Sequence, residues 1–173
     1  MEDLETAEPA TDAERVERGP RRLSLVAGVA IVVIAVDQFT KWLAVRDLTD
    51  RPVHLLWTFQ LNLLRNTGAA FSMGNGKGVG PWISVLALFV VAGLSFGYTS
   101  RLKLGAVATG LIAGGAIGNL LDRAFRGDAG FMGGAVIDFI DAKWWPVFNI
   151  ADASIVVGAL LLAAAALRAE RIA

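Results

Sequence analysis

FNIADASIVVGALLLAAAAL, residues 148–167, is apolar enough and long enough to cross a bilayer, yet it carries Asn149 and Asp152 near its start. A helix of about 20 residues spans about 30 Å, the thickness of the hydrocarbon layer. An aspartate at the centre of such a segment costs about 2.5–3.5 kcal/mol on insertion scales, so an ionisable group there marks a functional site by default. Its partner has to come from elsewhere in the chain.

The surrounding composition agrees with a membrane setting. Of the 173 residues 55% are hydrophobic and 18% charged, a balance typical of membrane proteins. Lysine plus arginine equals aspartate plus glutamate at 16 each, which gives no support to a nucleic-acid partner. The chain has no cysteine, so thiol nucleophiles, disulfides, thiolate metal sites and lipidation of its own cysteine are all excluded. His54, the single histidine, reads as a loop or interface residue. Two-histidine zinc sites and His-centred triads therefore have almost no material, and neither a metal nor a cofactor is expected.

Three more apolar segments, residues 23–44, 81–98 and 104–121, bring the expected spans to four, the last being 148–167. The expected fold is an all-α membrane protein of four transmembrane helices, with a small extracytoplasmic β element between helices 1 and 2. The region from Arg46 to Gly80 supplies that element: it is too polar and too broken by glycine to span, and VHLLWTFQLNLL (53–64) within it has β-leaning stretches. Residues 1–22, acidic and then basic, read as a disordered cytoplasmic tail; 23–168 form the membrane domain and 169–173 a cytoplasmic end. Basic residues set close to the span ends at the termini and at Arg101 and Lys103 place both termini in the cytoplasm. Trp42, Trp82, Trp144 and Trp145 then fall near the outer ends of helices, where amphipathic rings prefer the headgroup layer. Gly110, Gly114 and Gly118 recur every fourth residue and read as a stripe for close helix packing.

The polar residues gather at one level. Asn-x-x-Asp occurs twice, as Asn119 with Asp122 at the exit of the third span and as Asn149 with Asp152 at the entry of the fourth. Residues three apart share a helix face, so both pairs lie at the same outer level and can face each other. Between them Asp138 sits in VIDFI, flanked by apolar residues that desolvate it, which raises a carboxyl pKa. A second carboxylate nearby leaves a pair that shares one proton, the arrangement that hydrolyses peptides without metal, serine or cysteine. Three aspartates compete for two places. Asp122 precedes Arg123, whose guanidinium would hold it ionised in a supporting role, which leaves Asp138 and Asp152 as the reactive pair. Asp141, near Lys143, is expected to face water. Asn119 and Asn149 can orient carboxyls or substrate without adding charge. Asp37 and Lys41, four apart, form a structural ion pair. Hydrogen-bonded glue between helices is the bland alternative for all of these. An ion-coupled transporter and a Ser-Lys protease using Ser72 with Lys41 or Lys77 are the other classes the residues leave open.

DQFTK (37–41), RNTGAAFS (65–72), GAIGNLLDR (115–123), VIDF (136–139) and FNIADASI (148–155) together resemble the lipoprotein signal peptidases, the signal peptidase II family of bacterial membrane aspartyl proteases. The resemblance covers residues 23–168 and implies removal of the signal peptide from a diacylglyceryl-modified prolipoprotein, immediately before the lipidated cysteine. It implies Asp138 and Asp152 as catalytic acids, with Asn66, Asn119, Asp122, Arg123 and Asn149 lining or bracing the site and Asp37 and Lys41 in support. It further implies globomycin sensitivity, no cofactor, membrane lipids as neighbours, a monomer, and an active site near the outer face of the bacterial cytoplasmic membrane.

Overall fold

The computed structural model describes residues 20–67, 98–127 and 133–170, together with 85, 86, 89–91 and 93. In chain order the elements are α1 (Leu23–Asp47), β1 (Val53–Leu56), β2 (Phe59–Asn66), α2 (Lys103–Phe125), β3 (Val136–Asp141) and α3 (Ile150–Glu170), with a 3₁₀ turn at Tyr98–Arg101 before α2. α1 and α2 are long and apolar enough to cross a membrane, and α3 carries an apolar stretch over Ile150–Ala165. Of the expected second span only residues 85, 86, 89–91, 93 and 98 are described; the rest of it, residues 1–19, Ser72 and Lys77 lie outside the described residues.

α2 is the central helix, and its glycines are the reason. A Cβ on Gly114 would stand 2.6 Å from Val33 Cβ and one on Gly110 would stand 2.7 Å from Val29 Cβ, so this face lies directly against α1. On the adjoining face a Cβ on Gly115 would meet the Ala151 carbonyl oxygen and, at 2.7 Å, Ile155 Cγ1 of α3. Small residues let three backbones approach closely where the solvent gives no hydrophobic push, and the packing role expected for the stripe is the observed one.

The β element is larger than expected. β1, β2 and β3 form one antiparallel sheet in that order, so its third strand comes from the connection between α2 and α3, and the fold is mostly helical rather than all-α. The register sets Asp138 opposite Leu64 and Val136 opposite Asn66. VIDFID reads as a fully buried strand: the side chains of Ile137 and Phe139 pack with Ala44 and Leu48 of α1, which turns the intervening Asp138 to the opposite face of the sheet. A tight turn joins β1 to β2 through Trp57, whose backbone is left-handed at φ 49°.

Candidate active site

Asp152 is placed by its own helix terminus. α3 begins at Ile150, two residues later than the apolar run, because Asn149 caps it. Asn149 Oδ1 accepts from the Asp152 backbone N–H at 2.9 Å, and Asp152 Oδ2 accepts from the Asn149 backbone N–H at 3.4 Å. This reciprocal pair is a capping box, and it puts Asp152 in the first turn at the positive end of the helix dipole. The carboxylate in the opening stretch is tolerated because it stands at a helix start, nearer the terminus than a count from Phe148 predicts.

Asp138 reaches the same point from the sheet. It is 1% exposed. Asn66 Nδ2 donates to its Oδ2 at 2.9 Å and Asn149 Nδ2 to its Oδ1 at 2.7 Å. The Asn149 amide also donates to Asn119 Oδ1 at 3.2 Å, and Asn119 Nδ2 donates to Asp152 Oδ1 at 2.8 Å. The two carboxyls are thus joined through a pair of side-chain amides, one from α2 and one from the cap of α3. Burial pushes the Asp138 carboxyl up to about 6; the Asn66 hydrogen bond opposes the rise and the charge of Asp152 adds to it. Among the described residues neither acid has an ion pair within 4 Å. Two such carboxyls can share a single proton.

Beside this pair lies a second cluster built on Lys41, which is fully buried. Its Nζ contacts Asp37 Oδ2 at 2.8 Å and Asp122 Oδ2 at 2.9 Å, and donates to Asn119 Oδ1 at 2.9 Å. All three ammonium protons are engaged. Each acid then ties the cluster to another element: Asp37 Oδ1 accepts from the Ala151 N–H of α3 at 3.0 Å, and Asp122 Oδ2 accepts from the Ile137 N–H of β3 at 3.1 Å. Lys41 also fixes the Asn119 amide: with Oδ1 held by the ammonium, Nδ2 is left to face Asp152. Every buried side-chain nitrogen and oxygen among the described residues has a partner.

Two expectations change here. The ion pairs of Asp122 are with Lys41 and, at 2.7 Å, with Arg126 rather than with its neighbour Arg123, because consecutive helical residues do not face each other whereas residues four apart do. Arg123 instead donates through Nη1 to the Asn119 carbonyl at 3.2 Å, and its guanidinium lies within electrostatic reach of Asp152, Asp138 and Asp122. Asp141 is buried rather than turned to water, accepting from Gln60 Nε2 at 2.7 Å and from the Lys143 N–H at 2.8 Å, since β3 carries it into the sheet. Sequence reasoning also missed Gln38, which donates through Nε2 to Asp122 Oδ1 at 3.1 Å and accepts from Arg126 at 3.2 Å. Arg126 had a readable signal in its spacing from Asp122, an acid four residues before a base; Gln38 had none. No group of three His, Cys, Asp or Glu side chains that could hold a metal converges among the described residues.

Known proteins are similar to the chain along most of its length. The family described as Signal peptidase (SPase) II matches residues 29–168. A lipoprotein signal peptidase of Mycobacterium avium is 46% identical over 160 residues, covering 90% of this chain and 85% of its own length. One from Rhodococcus jostii is 45% identical, with 91% of this chain and 85% of that protein covered. Among solved structures, a bacterial membrane enzyme determined at 2.3 Å by the in meso method superposes with a TM-score of 0.72 at 26% identity, covering 87% of this chain and 92% of its own. Sequence identity, coverage and a common fold agree, and the chain belongs to the signal peptidase II family.

Proposed function

We propose that this chain is an aspartic endopeptidase of the bacterial cytoplasmic membrane that removes the signal peptide from diacylglyceryl-modified prolipoproteins, cutting immediately before the lipidated cysteine. Membership in a peptidase family whose named relatives are lipoprotein signal peptidases supports the substrate class. The observation that carries the mechanism is the linkage of Asp138 to Asp152 through Asn149 and Asn119, with Lys41 turned to other acids. One carboxylate takes a proton from a water, which attacks the scissile carbonyl. The other, protonated, polarises the carbonyl oxygen, and the proton held by the pair passes to the leaving amine. Asn66 and Asn149 orient Asp138, Asn119 orients Asp152, and Arg123 supplies positive potential to both. Asp37, Lys41 and Asp122 brace the elements without entering the chemistry.

The membrane assignment extends to four spans over residues 23–168, with the tail 1–22 and the end 169–173 in the cytoplasm and the acids near the outer face. A lipid-anchored substrate stays in the bilayer and enters sideways between helices, so acids at a helix end meet the scissile bond at its own depth. No cofactor is required, the enzyme works as a monomer among membrane lipids, and globomycin inhibits it. Purified protein should cleave a diacylglyceryl-modified prolipoprotein and leave the unmodified precursor intact. Asp138→Asn and Asp152→Asn should each reduce turnover by about 10²–10⁴-fold while the chain stays folded. Retained turnover in either variant would refute the dyad.

A further inference from the structure

β1 does not behave as a strand on a watery surface. In a half-covered sheet apolar and polar side chains alternate. Here all four residues of β1 are exposed, and the register sets Val53 opposite Leu61 and Leu56 opposite Phe59, which gathers Val53, Leu56 and Phe59 on one face with Leu55 at the irregularity beside them. A register shift between His54 and Leu56 adds to the crowding of apolar groups at the tip. Trp57, at the turn itself, is 94% exposed and is held in the left-handed region at φ 49°, which bulky residues avoid. A backbone outlier that projects a large ring away from the protein is an observation from which function is inferred. An exposed apolar patch of this kind marks contact with a partner or a membrane.

The position of the hairpin says which of the two it meets. α1 turns Ile31, Val32, Phe39 and Trp42 outward, and residues 48–52 alone separate its end from β1. That link reaches at most about 18 Å when fully extended, so the hairpin stays near the headgroup layer where α1 ends. Arg46, ion-paired with Asp47 at 2.6 Å, lies 4.8 Å over the Trp42 ring, an aromatic and cation pairing suited to that level, and Arg51 is an exposed cation that complements anionic headgroups. The apolar surface of the hairpin therefore continues the lipid-facing surface of α1.

We propose that the β1–β2 hairpin inserts Leu55, Leu56 and Trp57 into the headgroup and acyl boundary of the adjacent leaflet, and so anchors the sheet at a set depth. β2 carries the anchor to the site: Phe59 stands at its start and Asn66 at its end, and its pairing with β3 fixes Asp138. The insertion itself requires only a bilayer; the control of acid depth rests on the peptidase function proposed above. Because the chain has no cysteine, Arg51→Cys, Leu56→Cys and Trp57→Cys each give one nitroxide site in the full protein. In nanodiscs of phosphatidylethanolamine and phosphatidylglycerol, oxygen should relax the labels at 56 and 57 several-fold more than a water-soluble nickel chelate does, with the reverse at 51. Equal or greater nickel access at 57 overturns the insertion. Dipolar broadening between labels on different copies also overturns it, by assigning the patch to a second chain, as does immobilisation that appears only on adding prolipoprotein. These readouts need no turnover, so loss of the peptidase assignment would leave them interpretable. In active preparations Leu56→Ser with Trp57→Ser should lower kcat/KM on bilayer-embedded substrate several-fold, and an unchanged value would remove the depth-setting role.

Discussion

Asp37, Asp122, Asp138 and Asp152 meet at one junction of helices and sheet, yet they form two contrasting pairs. Asp37 and Asp122 share Lys41 at 2.8 and 2.9 Å and are fully buried. Among the described residues Asp138 and Asp152 accept their hydrogen bonds from side-chain amides and a backbone N–H, with the Arg123 guanidinium in electrostatic reach of both. A carboxylate bonded to a buried cation is held in one place and serves as a brace. One surrounded by neutral donors keeps its orientation while its proton remains exchangeable. Residue type is the same in both pairs, so neighbours across space decide which carboxylates are held by a cation and which by amides.

That division can be broken from either side. The largest effect on folding is expected for Lys41→Met, which strips Asp37 of its cation and leaves Asp122 with Arg126. Stability should fall by about 3–5 kcal/mol, measured by denaturation in detergent, and a variant as stable as the parent would show that the brace is not one. Next, the raised pKa of Asp138 carries a definite sign. Its carboxyl keeps a proton in the folded state up to about pH 6, whereas the unfolded chain releases it near 3.8. Its contribution is therefore fully present below 3.8 and is lost as pH rises through 6. Comparing parent with Asp138→Asn from pH 4 to 7, the parent should lose on the order of 1–3 kcal/mol relative to the variant; a difference independent of pH would mean that Asp138 is not held protonated by its burial.

Gly118→Ala probes the brace through shape alone. Its Cβ would stand 2.6 Å from Asp37 Oδ2, a carboxylate already pinned by Lys41 and by the Ala151 N–H. The expected cost is about 1–3 kcal/mol, read as a drop in thermal midpoint. Asn149→Ser sharpens the contrast with the smallest structural change. Serine caps a helix about as well as asparagine, so stability should move by less than about 1 kcal/mol. The bonds from the amide to Asp138 and Asn119 disappear, and turnover should fall about ten- to hundredfold. Equal losses of stability and turnover would instead make Asn149 a cap and nothing more.

Much of the site was legible because its spacing is local. Asn-x-x-Asp at 119–122 and 149–152, Asp37 with Lys41, and the glycine stripe all rest on helical periodicity, and each feature meets its partner in the folded chain. Asp122 was misassigned to Arg123 because adjacency in sequence was weighed above the i,i+4 geometry that joins it to Arg126. Asp141 was misread because Lys143 made the segment look solvated, whereas β3 places it beside Gln60. Gln38 has no motif and is found only through its contacts across to α2.

The amino-acid order alone determined that α1, α2 and α3 are helical and apolar, which face of α2 admits close neighbours, and that acids and amides share one level, since each follows from periodicity among residues close along the chain. Only the tertiary structure decided that VIDFID becomes the third strand, that Lys41 belongs to Asp37 and Asp122, and that the Asn149 and Asn119 amides join Asp138 to Asp152. The ionisation of a buried carboxyl depends on what lies within a few ångströms of it, and those neighbours come from elements far apart in sequence.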